Sequence, residues 1–282
     1  MGELLRPPSH RGPLIAAGAV TLSVGGATFL ARYEPAAGIT LAVAGALTLV
    51  FGWLAIQGGH PGGPPLAFAS VLIVVALGWF AAALTSLADL LSDEDPGARS
   101  VTLIALVLAA AAAWASRRRS SAIAALIVAL SAGTALIAAW EWVFEPGAIT
   151  PFRWLLLLLA LVYGLVSLPM RGTSQRHAEQ MVNAAGVAIL AIPLSGGALF
   201  LFGRPYLPGF FEGVVVVAGL GLVAYAAADR APGAAYLGVA NLALFILTPS
   251  VALVLIPISI LPVIHRIISH FYHTHIVNEL IS

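Results

Sequence analysis

Four histidines, His265, His270, His273 and His275, fall within eleven residues near the end of an otherwise apolar sequence. Histidines this dense suggest a metal site, a pH-responsive cluster, or the polar face of a helix lying on a membrane. Winding 264–275 at 3.6 residues per turn puts Ile267, Ile268, Phe271 and Tyr272 on one face. Arg266, His270 and His273 share the opposite face, and His265 and His275 fall off it. One pair at i,i+3 is short of the three or four ligands that zinc takes, and the nearest carboxylate, Glu279, lies off the polar face. The reading is an amphipathic interfacial tail over 265–282 with His270 and His273 as a candidate pH-responsive pair; no metal site and no cofactor are expected. The tail is also foreign in composition, with no Ala and no Gly from 253 to 282.

Two backbone features could hold a solute. In AIPLSGGA (191–198), Pro193 cannot donate its helical hydrogen bond, and Gly196 and Gly197 loosen the turn after Ser195. Thr248, Pro249 and Ser250 form a second break. Broken helices whose freed carbonyls line a cavity are how carriers bind solutes inside the bilayer, so these residues make up the candidate solute site. Ser195-Gly196 does not extend to a serine protease: Pro193 stands where Gly-x-Ser-Gly needs glycine, and no His lies at membrane depth. There is no HExxH, no Cys and no Lys, which removes that zinc-protease motif, thiol chemistry, a retinal Schiff base and the P-loop lysine. No catalytic residues are assigned, and an enzyme is not expected.

The elements that must position these residues are membrane helices. The chain is 60% hydrophobic and 9% charged, against about a quarter charged in a soluble domain. A net charge of +1 offers no footprint for nucleic acid. Apolar runs of spanning length, about 17–25 residues, predict helices at 14–31, 36–57, 66–88, 100–116, 122–143, 154–170, 181–203 and 213–228. Turn signals at 34–37, 60–65, 92–97, 145–148 and 230–233 separate many of them. The run 235–265 crosses either once or twice, because Pro249, Pro257 and Pro262 interrupt it. The fold class is therefore all-α: a polytopic transmembrane bundle of nine or ten helices. With the N-terminus inside, ten helices place nine arginines inside and four outside, and nine helices place eight against five. The positive-inside rule favours ten, with both termini cytoplasmic. The segments are then a cytoplasmic 1–13 leading into an uncleaved first helix, a bundle over 14–264 and the tail over 265–282.

Length, helix count and both inside termini are similar to those of the drug/metabolite transporter superfamily of ten-helix carriers. The likeness covers size and topology only; none of that superfamily's motifs is present.

Ala17, Thr21 and Gly25 in AGAVTLSVG, and Ala44, Thr48 and Gly52 in AGALTLVFG, form matching small-residue stripes. Such stripes let helix backbones approach in lipid, and the expectation is that these two helices pack on each other. Ionisable residues avoid the helix centres: Asp89, Glu141 and Asp229 lie at ends, beside an aromatic belt of Trp140, Trp142 and Phe144. This quiet interior points to a permease for small neutral or lipid-like solutes; the alternative is a non-catalytic structural, assembly or scaffold subunit. The expected partners are the lipid bilayer and either copies of the chain or other subunits of a membrane complex. The Ala-, Gly-, Pro- and Arg-rich composition suggests the cytoplasmic membrane of a GC-rich bacterium.

Overall fold

The computed structural model describes residues 12–57, 67–91, 97–146, 148–195 and 207–247. Gly196, Gly197, Thr248, Pro249, Ser250, His270 and His273 lie outside these residues, as does the rest of the tail.

The described residues form helices and no strands: α1 (Gly12–Tyr33), α2 (Ala37–Gln57), α3 (Ala67–Leu91), α4 (Ala98–Arg119), α5 (Ala122–Phe144), α6 (Ile149–Arg171), α7 (Gln175–Leu194), α8 (Gly209–Asp229) and α9 (Pro232–Leu247). Among them, α1 to α6 and α8 are long and apolar enough to cross a bilayer, which supports a multi-pass membrane protein. α7 begins with two polar turns carrying Arg176, His177, Glu179 and Gln180. The 16 residues of α9 span about 24 Å at 1.5 Å per residue.

Helix ends are set locally. Ser121 caps α5, its hydroxyl accepting from the Ala124 amide at 3.4 Å. The carbonyl of Ser174 accepts from the amides of His177 and Ala178 at the start of α7. Glu34, Ser120, Glu145 and Arg230 end helices in the left-handed region, with φ of 41°, 49°, 42° and 54°, a role usually given to glycine. Two of the resulting turns are built alike. Ser120-Ser121 joins α4 to α5 and Arg230-Ala231 joins α8 to α9, and in each the second residue's amide bonds the carbonyl five residues back, Ser116 or Ala226. So short a turn forces antiparallel neighbours, and α4 packs along α5 and α8 along α9.

The chain divides into two compact units, Met1–Ala185 and Gly186–Ser282, with the division falling inside α7. In the first unit α3 is the hub. Phe68, Leu72, Ala76, Trp79 and Ala83 of α3 form one buried cluster with Ala16 and Ala19 of α1, Ala44, Phe51 and Ala55 of α2, Ala112 of α4 and Ala124 of α5. In the second unit, the last turns of α7 are described together with α8 and α9.

The helix boundaries differ from expectation where charged residues fall inside helices. α6 begins at Ile149 rather than 154, so Arg153 sits in its early turns and is buried, 6% exposed. α8 begins at Gly209 rather than 213, which puts Glu212 in its first turn, where a carboxylate suits the helix dipole. α4 extends to Arg119, so the arginine triplet forms its last turn, where cations suit the dipole. An apolar-run criterion stops at a charge, whereas a backbone helix does not.

Candidate functional site

The expected packing of α1 on α2 through matched stripes is corrected by the structure. Ala17, Thr21 and Gly25 all face outward, and nothing lies within 4 Å of where a Gly25 Cβ would stand. The face that docks on α3 is one position round the helix: Gly12, Ala16, Ala19, Ser23 and Gly26, spaced by three and four. The reason is Trp79. Its indole Nε1 donates to Ser23 Oγ at 2.9 Å, and its ring lies 3.1 Å from where a Gly26 Cβ would be. On α2, Ala44 is fully buried and Thr48 half-buried, in the helix that packs along α3; Gly52 has open space beside it. The α1 and α2 stripes are therefore not brought together.

Hydroxyls in the spans turn back into their own helices. Ser23 donates to the Ala19 carbonyl at 2.7 Å, Thr48 to Ala44 at 2.8 Å, Thr85 to Ala81 at 3.1 Å, Thr102 to Ala98 at 2.8 Å and Thr134 to Leu130 at 3.0 Å. This satisfies each hydroxyl where water is absent. Between helices, Tyr163 of α6 donates to the Ala129 carbonyl of α5. Gly133 makes room for it: a Cβ there would lie 2.6 Å from the Tyr163 hydroxyl oxygen.

The second unit holds the described part of the proline break. Pro193 is buried one residue before the end of α7 and has no N–H to give the Ile189 carbonyl. Ser195 closes the helix, its amide bonding the Ala191 carbonyl at 2.8 Å and its hydroxyl the Ile192 carbonyl at 2.7 Å.

The second unit also buries an amide that the sequence analysis did not single out. Asn241 of α9 is 0% exposed. Its amide nitrogen donates to the Leu237 carbonyl at 2.9 Å and reaches the Gly186 carbonyl of α7 at 3.5 Å. Its Oδ1 is buried with no partner among the described residues. An unpaired buried acceptor costs about 1–3 kcal/mol, which gives this oxygen a reason to take a donor.

Glycines bring the three helices of this unit together. Gly238 of α9 meets α8 backbone to backbone, a Cβ there lying 2.8 Å from the Gly219 carbonyl oxygen and 3.0 Å from the Val223 nitrogen. A Cβ on Gly186 would be 3.0 Å from a Leu237 methyl and 3.2 Å from a Leu222 methyl. The small residues let α7, α8 and α9 close around Asn241. The signal available in sequence was one Asn in an apolar run, with Gly238 three residues before it on the same helical side.

Of the scattered histidines, His177 is described. Its Nδ1 lies 2.7 Å from Ser174 Oγ at the start of α7, which makes it part of a helix cap. Among the described residues no group of three or more His, Asp or Glu is placed to hold a metal ion. No protein-family model, no curated protein and no solved structure matches this chain.

Proposed function

We propose that this chain is a permease for small neutral or lipid-like solutes, with ten spanning helices and both termini cytoplasmic. The observation that carries the reading is Asn241: a fully buried amide, tied to α7 through Gly186, whose Oδ1 has no partner among the described residues. Three residues along α7 from Gly186, the Ile189 carbonyl lacks the donor that Pro193 cannot supply. Two acceptors in an apolar setting suit a neutral solute that donates hydrogen bonds through a hydroxyl or an amide. A cation-coupled pump would call for ionised groups, and the acids of the described spans keep to helix ends. Pro193, Ser195, Gly196, Gly197, Thr248, Pro249 and Ser250 are the remaining members of the proposed site.

Flux through proteoliposomes tests this, with glycerol, urea and a short-chain fluorescent phospholipid as probes. The native chain should carry at least one of them faster than empty vesicles, and Asn241→Leu should lose that flux while remaining folded. Unchanged flux in Asn241→Leu would sink the site; no flux with any probe would sink the permease. A C-terminal reporter active only outside the cytoplasm would overturn the ten-helix topology.

A second reading, a non-catalytic assembly or scaffold subunit, is favoured by α1. Its outward Ala17–Thr21–Gly25 face is shaped to accept another helix closely. Native mass spectrometry after mild extraction separates the two readings, since a subunit should emerge in a defined assembly with other proteins.

A further inference from the structure

The end of α5 and the first turns of α6 form an open groove of about 470 Å³ lined by Trp140, Thr150, Pro151, Trp154, Leu155 and Leu158. We propose that this groove seats one acyl chain of a membrane phospholipid. Its position comes first. α5 ends at Phe144 and α6 begins at Ile149, so the groove starts at a helix-connecting turn, at the end of α5 that carries the aromatic belt of Trp140, Trp142 and Phe144. From Thr150 to Leu158 it runs about 12 Å along α6 at 1.5 Å per residue, into the depth of the acyl chains.

Size and chemistry select the occupant. The groove is narrow, with six lining residues, five of them on α6, which suits a single slender chain. Its volume falls in the range of about 300–1,000 Å³ typical of small-ligand sites. The lining is hydrocarbon and indole, with the Thr150 hydroxyl near the entrance. In a bilayer, the apolar molecule of that size beside the helices is a lipid chain. Charge does not select a headgroup. The Arg99 guanidinium lies over the Trp142 ring, 5.7 Å from its centroid, but exposed Glu141 and Glu145 stand at the same end. The groove reads the chain and is indifferent to whether the headgroup is zwitterionic or anionic.

The test uses the full chain, relipidated separately with phosphatidylcholine and phosphatidylglycerol vesicles, extracted mildly and weighed by native mass spectrometry. The native chain should retain one phospholipid with either headgroup. Leu158→Trp and Thr150→Trp fill the groove from its two ends. Both positions are exposed, so neither change enters the core, and each should lower the retained fraction at least fivefold. Leu161→Trp, exposed on the same helix outside the groove, should retain lipid like the native chain. Loss of lipid from Leu161→Trp as well, native-like retention by either filled variant, no retention by the native chain, or retention of phosphatidylglycerol alone would each overturn the proposal.

Discussion

Replacing Gly238 by alanine tests the packing of the second unit most directly. The added Cβ would lie 2.8 Å from the Gly219 carbonyl oxygen, 2.8 Å from a Val223 methyl and 3.0 Å from the Val223 nitrogen. Ordinary contact begins near 3.4 Å, so α8 and α9 must part by about 0.6 Å. Two of the three opposing atoms are backbone, and the α8–α9 turn has only Arg230 and Ala231 to absorb the movement. Overpacking of this kind costs about 1–3 kcal/mol. Alanine recovers about 1 kcal/mol through helix propensity, leaving a net loss of about 1 kcal/mol. Gly221→Ala is the control, because it changes the same residue type in α8 with nothing within 4 Å; it should be neutral or stabilising by up to about 1 kcal/mol. Both are read by reversible unfolding in mixed detergent–SDS micelles, and the gap between them isolates the packing cost. If Gly238→Ala proves as stable as Gly221→Ala, the backbone contact at this crossing is wrong.

Other outcomes follow from single contacts. Tyr163→Phe removes the hydrogen bond to the Ala129 carbonyl and should cost about 0.6 kcal/mol, with an upper bound of about 1.7. Gly133→Ala strikes the same hydroxyl, so the double variant in the same unfolding assay should lose less than the sum of the singles. Ser23→Ala leaves the Trp79 indole N–H buried without its acceptor and should cost about 1–2 kcal/mol, whereas Thr21→Ala on the outward face should change stability by less than about 0.5 kcal/mol; equal effects would refute the α1–α3 register. Ser120→Gly relieves a left-handed non-glycine turn and should raise stability by about 0.5–1 kcal/mol, read as a higher SDS midpoint.

The existence and approximate extent of the spanning helices were legible in the sequence, because the length of an apolar run is set by bilayer thickness. The two-residue turns were legible in part: ArgAlaProGly at 230–233 announces a break, while Ser120-Ser121 does so only through the charge triplet before it. The ends were less legible. Arg153 and Glu212 look like loop residues by charge, yet the hydrogen-bonded helix includes both.

Facing was not legible. α1 and α2 are apolar all round, and in such a helix no polar–apolar contrast marks the buried side. Two small-residue stripes on α1 were equally plausible by composition. Trp79, arriving from α3 with a ring that needs Gly26 and an N–H that needs Ser23, decides between them. The candidate site divides the same way. Pro193 announces a break by its chemistry alone, since no environment restores its N–H. Asn241 stands out only when Gly186, Gly219 and Gly238 let three helices close around it and leave its Oδ1 without a partner among the described residues. Sequence determined which segments leave water, through transfer of apolar length into lipid. Tertiary structure decided which sides of them meet, because close contact in lipid depends on shape and on single hydrogen bonds that no one segment contains.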